Sequence, residues 1–308
     1  MMKFVFQLWL VGCLLIWLWG SNISSVKAQS SAEGILKLEP AFQEVVLEEG
    51  QLSSNASFTF TNTTRLTQVL DIFPLDLEQH NEMGEIILKD KIDTSFTLAP
   101  YLKLSQERIS IAPGASVTVE ASLVNSTELS PGGHYAAVVG RFVRQDIPQF
   151  QQVLPGISSI VLLHKKGGEQ FILSLIDTGV PKVAITFKQP SNLRLLFENN
   201  GNVHIIPYGR VEFKDIFKRV VYKGIVNEGS LYVLPKTERQ ITTTLKNIRY
   251  DFPVMLYQVS IQGAGDRGET AFASSIYYFY ISPWLILLVL GGIGLLYFWK
   301  RKVKNTKE

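Results

Sequence analysis

The chain has 308 residues, 46% of them hydrophobic and 19% charged, with a net charge of +3, one cysteine and four histidines. The last nine residues hold +4 of that charge and Lys3 and Lys27 another +2, so residues 29–280 carry −3. A nucleic-acid-binding reading, which needs a basic domain, loses its support, and a single cysteine excludes an internal disulfide framework.

At the N-terminus Lys3 precedes an apolar run over 4–19, broken by Gln7, and a polar stretch leads to Val26-Lys27-Ala28. This order reads as a secretory signal over 1–28, cleaved after Ala28. An uncleaved anchor is the alternative. Leu10-Val11-Gly12-Cys13 also resembles a lipoprotein box, but the apolar residues 14–19 that follow look like the middle of a signal. Cys13 falls inside the signal, so the exported chain is cysteine-free, which fits a bacterial envelope better than an animal surface.

Residues 29–280 read as β throughout. Phe58 and Phe60 alternate with Ser57, Thr59 and Thr61. Val117, Val119, Ala121 and Leu123 alternate with polar neighbours, as do Tyr257, Val259 and Ile261. A period of two with β-branched and aromatic residues marks strands with one buried face. Pro113-Gly114, Pro131-Gly132-Gly133, Pro155-Gly156 and Asn199-Asn200-Gly201-Asn202 supply turns.

A weak internal repeat divides this region. Residues 54–62 resemble 191–199, 109–113 resemble 231–235, and Pro131 and Tyr135 match Pro253 and Tyr257, all in the same order. The expected fold is therefore all-β: two tandem immunoglobulin-like sandwiches, over 29–170 and 171–280. Tyr135 and Tyr257 sit early in the expected penultimate strands. Each is a candidate corner tyrosine bonded to nearby backbone, or a residue that simply packs.

The first copy is longer between its first two matched blocks, which places an insertion near 76–93. It holds Asp76, Glu78, Glu82, Glu85, Asp90 and Asp93 against Lys89 and Lys91. These acids form a candidate interaction loop, with a solvated spacer as the alternative; their spacing lacks a calcium-loop pattern. Residues 213–223 are locally basic and aromatic, suited to an anionic polymer or lipid headgroups, or to a charged edge hairpin.

Catalytic chemistry is not visible. His80, His134, His164 and His204 are scattered without metal-ligand spacing, and no G-x-S-x-G elbow or phosphate loop occurs. Leu234-Pro235-Lys236-Thr237-Glu238 approaches a sortase signal but ends in Glu and matches the Pro113 turn. The expectation is a non-enzyme with no cofactor and no metal.

The C-terminal region brings nineteen uncharged residues over 281–299, with Trp284, Tyr297 and Trp299 at its ends and Lys300, Arg301 and Lys302 beyond. It reads as a single transmembrane helix with a basic cytoplasmic tail over 300–308.

The strand run 58–64, the block 109–114 and the block 131–140, set in this anatomy, resemble the bacterial DUF916, or WxL-interacting, surface proteins. The first sandwich is also similar to the N-terminal domain of pilus chaperones. The resemblance implies a first domain associated with peptidoglycan and a second with protein ligands. The expected function is a membrane-anchored, single-pass surface scaffold or adhesion protein, ectodomain outside, contacting cell-wall polymer or surface proteins. The alternative is an assembly factor acting on exported subunits by β-strand augmentation.

Overall fold

The structure is a computed structural model that describes residues 36–92, 95–143, 156–186, 189–249, 254–268 and 270–305. The expected signal, Cys13, Asp93, Pro253 and the last three residues lie outside them. The strands of the first half are β1 (Leu36–Glu39), β2 (Phe42–Leu47), β3 (Ser53–Asn62), β4 (Gln68–Gln79), β5 (Ile86–Lys89), β6 (Leu102–Leu104), β7 (Arg108–Ile111), β8 (Ser116–Val124), β9 (Gly132–Phe142) and β10 (Gly156–Lys165). Those of the second are β11 (Leu173–Asp177), β12 (Val183–Ile185), β13 (Asn192–Asn199), β14 (Pro207–Lys214), β15 (Val220–Val226), β16 (Thr237–Thr244), β17 (Lys246–Asn247), β18 (Val254–Gly265) and β19 (Ala271–Ile281).

They form four sheets. One has the order β1-β3-β8-β6 and faces another of order β2-β10-β9-β4-β5, with β7 also on β4. The second pair is β11-β13-β16 against β12-β19-β18-β14-β15-β17. Period-two patterning decides what lies between the faces. Phe58 and Phe60 on β3 point inward with Val119, Ala121 and Leu123 from β8. In the second sandwich Phe197, Tyr257, Val259 and Ile261 do the same. Each fully buried aliphatic or aromatic side chain contributes about 1.5–3 kcal/mol, so these two apolar layers hold the sheets together.

The repeat is visible in atomic detail. Asn62, at the end of β3, is fully buried and its Nδ2 donates to the carbonyls of Leu66 and Ile111 at 2.8 and 2.9 Å. Its Oδ1 accepts from Thr64 N–H at 2.9 Å. Asn199, at the end of β13, donates to Val203 and Val233 at 2.8 and 2.9 Å and accepts from Gly201 N–H at 2.9 Å. Ile111 and Val233 are themselves matched positions of the repeat. In both copies one amide satisfies the backbone where a strand leaves its sheet, a place where an unpaired buried carbonyl would be costly. The parallel pairing of β2 with β10 is likewise repeated by β12 with β19.

The tyrosines depart from this symmetry. Tyr257 points into the second core, among Phe213, Tyr222 and Tyr278. On β9 it is Ala136 and Val138 that face the first core. Tyr135 therefore points out of its own sandwich, into an apolar cluster with Leu77, Leu162 and Leu234. A one-residue difference in register moves a side chain to the opposite face of a strand.

The membrane expectation is corrected. Helix α1 (Pro283–Asn305) starts only after β19 has taken Ile281 into its ladder with Val254. Between Pro283 and Lys300 the helix has seventeen uncharged residues, about 25 Å at 1.5 Å per residue, short of the ~30 Å hydrocarbon core. No helix among the described residues is long and apolar enough to cross a membrane. The expected single-pass location, with the ectodomain outside and the tail in the cytoplasm, is set aside on that finding.

Candidate functional site: the crevice between the sandwiches

Residues 36–308 form one compact unit, and the contacts between the sandwiches are specific. The Asn199-Asn200-Gly201-Asn202 turn acts as a latch. Asn202 Nδ2 donates to the carbonyls of Pro131 and Gly168, both at 3.1 Å, and its backbone carbonyl accepts from Gly133 N–H at 2.7 Å. Gly133 has to be glycine, because a Cβ there would lie 2.0 Å from the Tyr135 hydroxyl oxygen.

Beside the latch a chain of polar groups crosses between the sandwiches. The Tyr135 hydroxyl accepts from His204 N–H at 3.0 Å and lies 3.2 Å from His204 Nδ1. His204 Nε2 lies 3.2 Å from Glu44 Oε1, which also accepts from Arg267 Nη2 at 3.1 Å. Arg267 Nη1 donates to His164 Nδ1 at 2.6 Å, and His164 Nε2 lies 3.1 Å from Glu169 Oε1. The donor on Arg267 fixes the tautomer: His164 accepts at Nδ1, so it is neutral and donates from Nε2. Burial, and then the Arg267 guanidinium, push the His164 pKa below its ordinary value. The backbone N–H of Gly168 leads the contacts that hold Glu169 down at about 2. Glu44 is lowered chiefly by its bond to His204.

The acids expected near 76–93 are dispersed. Asp76 is fully buried and accepts from Leu98 and Ala99 N–H at 2.9 Å, and from the Thr97 hydroxyl, shaping the turn before β6. Glu78 pairs with Lys89 across β4 and β5. Glu85 accepts from Asn81 Nδ2 at 2.6 Å within the hairpin turn. Glu82 and Asp90 are exposed; Asp93 lies outside the described residues. The segment is a β4–β5 hairpin whose tip docks on the second sandwich. Gln240 N–H donates to the Glu82 carbonyl and Gln79 Nε2 to the Glu238 carbonyl, each at 2.6 Å.

That docking leaves a crevice of about 300 Å³. Its floor is the outer face of the six-stranded sheet of the first sandwich, with Phe42, Ile160, Leu162 and Ile86, and its wall is the second sandwich's Leu231 and Tyr232. Phe42 and Tyr232 meet edge to face, ring centroids 5.9 Å apart. One side of the crevice is β5, which pairs with β4 and has no second partner strand among the described residues. Ile86 is 40% exposed and Ile87 37%. Among the described residues there is no group of three or more histidines, cysteines or acids placed to hold a metal.

Sequence reasoning missed Glu44, His164, His204, Arg267 and the crevice residues. His164 and His204 have no spacing signal, because adjacency in space comes from the latch between sandwiches. His134, by contrast, bridges the carbonyls of Ser130 and Thr97 at 2.8 and 3.1 Å.

Comparison with known proteins is shallow. No family model matches the chain, so the expected likeness to the DUF916 surface proteins finds no support there, and no curated protein matches it in sequence. Among solved structures it is similar to a chaperone–tip adhesin complex of CFA/I fimbriae, at 10% identity and TM-score 0.41, over 78% of this chain and 98% of that one. It is similar to the YadV chaperone at 9% and 0.39, over 79% and 100%. A third is the CsuC–CsuE chaperone–tip adhesion subunit pre-assembly complex of Acinetobacter baumannii Csu pili, at 10% and 0.39, over 80% and 98%. Likenesses of this depth carry no functional conclusion.

Proposed function

We propose that the protein is an assembly or binding factor that lends the open edge of β5 to an extended segment of a partner polypeptide, whose apolar side chains fill the crevice between the sandwiches. The observation that carries this reading is the open β5 edge with exposed Ile86 and Ile87 beside an apolar crevice. An edge strand presents unpaired backbone N–H and C=O groups that pair with an added strand, while alternate side chains of that strand enter neighbouring pockets. Each net backbone bond contributes about 1 kcal/mol, and apolar burial adds about 25 cal/mol per Å². The scaffold reading of the sequence gains no comparable observation.

The test uses the full chain and a fluorescein-labelled ten-residue peptide of alternating Val and Thr. Binding is followed by anisotropy, alongside the same peptide N-methylated at every second residue. Strand addition predicts saturable binding that weakens at least about tenfold on methylation, because each methyl removes a ladder donor. Equal binding of the two peptides, or binding of neither, contradicts the proposal.

A further inference from the structure

Arg239, on β16, lines the crevice next to Gly84 and Ile86. Its Nη1 donates to the Tyr232 carbonyl at 2.5 Å, while its Nε is buried without a hydrogen-bond partner. Gly84, at φ +79°, lets the hairpin tip close over the guanidinium; a Cβ there would lie 2.6 Å from Arg239 Cζ and Nε. Ion pairs among the described residues engage other cations. The crevice lining itself contains no acid. Burial lowers the Arg239 pKa.

An arginine stays charged in proteins, so this is a half-buried cation with no counter-ion among the described residues. Withdrawing part of such a charge from water is costly unless an acid offsets it. The apolar floor offers contact area but no charge, and the guanidinium offers charge in a planar, forked geometry that suits a carboxylate. The geometry points to Arg239 as the anchor for an acidic side chain, Asp or Glu, carried by the extended apolar segment that docks on β5. The inference rests on the strand-docking reading above and narrows its partner: a strand with apolar residues at alternate positions and one carboxylate among them. In an extended segment residues i and i+2 share a face, so an acid flanked two positions away by an apolar residue reaches Arg239 while its neighbour enters the crevice.

The test scans the Val/Thr peptide, capped at both ends, with Glu and then Gln placed at each position in turn. Each peptide is titrated into the full wild-type chain, Arg239→Gln and Arg239→Lys. At the best position Glu should bind about tenfold tighter than Gln to the wild type. The preference should fall below about twofold in Arg239→Gln and return in part in Arg239→Lys. A Glu-to-Gln ratio near one in the wild type, with both peptides bound, overturns the role of Arg239 and leaves strand docking standing. That wild-type ratio decides by itself if Arg239→Gln does not fold. A Glu preference that survives in a folded Arg239→Gln overturns the inference too. A gain seen only when the peptide's C-terminus is left free assigns the carboxylate to a chain end and overturns the acidic side chain. Binding of neither peptide overturns both this inference and the strand-docking reading.

Discussion

The two sandwiches treat their matched residues differently, and the difference separates what builds the fold from what joins its halves. Asn62 and Asn199 make the same three hydrogen bonds, two to matched carbonyls and one to an N–H two residues on. Tyr135 and Tyr257 are matched at the same offset, yet one faces the opposite sandwich and the other its own core. The first sandwich also carries the longer excursion, the β4–β5 hairpin, and uses it to reach β16 of the second. A shared chain course thus served two ends: strand-end asparagines close each sandwich, while the tyrosine and the hairpin of the first copy were turned outward to make a joint.

Breaking the asparagines should have the largest effect. Asn62→Ala and Asn199→Ala each strip partners from buried backbone, at about 1–3 kcal/mol per unsatisfied group. Each should lower stability by roughly 3 kcal/mol in urea unfolding, by similar amounts in the two copies. A large loss in one variant and none in the other would show that the locks are not equivalent.

Tyr135→Phe should come next. It removes the acceptor for His204 N–H and should cost about 1–3 kcal/mol, with the loss appearing as weaker coupling between the halves. Measured by urea unfolding followed with probes in each sandwich, the two transitions should separate. Coincident transitions would mean that the joint does not depend on that hydroxyl.

Acid should loosen the same joint. The His164 pKa is depressed in the folded protein, so below about pH 6.5 the unfolded chain takes up a proton that the folded chain resists. Stability from this group is fully present above pH 6.5 and falls as the pH drops from there towards the folded value. Glu169, held at about 2 against an ordinary 4.5, contributes above pH 4.5 and loses that contribution as the pH falls from 4.5 to about 2. Thermal midpoints taken across pH 4.5–8 should decline below 6.5, and His164→Gln should flatten that decline. An unchanged slope in the variant would place the titration elsewhere, His134 being the next depressed imidazole.

The smallest effect is expected on the outer face of the first sandwich. Thr59 and Thr118 share a hydroxyl hydrogen bond of 3.0 Å in solvent, with no part in the joint. Thr118→Ala should change stability by no more than about 0.5 kcal/mol, as read by urea unfolding; a loss as large as that of Tyr135→Phe would mean this face is not idle.

Much of the fold could be read before the structure. The alternation at Phe58 and Phe60, and at Tyr257, Val259 and Ile261, placed buried faces correctly because period-two burial is a local property of a strand. The order of the repeat blocks pointed to two related copies, and the asparagines closing its first block now have a stated role. The helix start was misplaced because Ile281 belongs to the β19 ladder, a pairing with Val254 that hydropathy does not register. The acids of 76–93 read as one loop, but burial of Asp76 and the cross-strand pairing of Glu78 depend on partners eleven or more residues away. The crevice itself comes from two distant segments, around Ile86 and Tyr232, brought together by docking. No local pattern encodes such a meeting.

Amide hydrogen exchange on the full chain, with and without the Val/Thr peptide, tests strand docking most directly. Docking on β5 predicts that amides of Ile86–Lys89 are slowed when the peptide is present, because the free edge gains hydrogen bonds. Slowing confined to another open edge, such as β12, or none at saturating peptide, would contradict it.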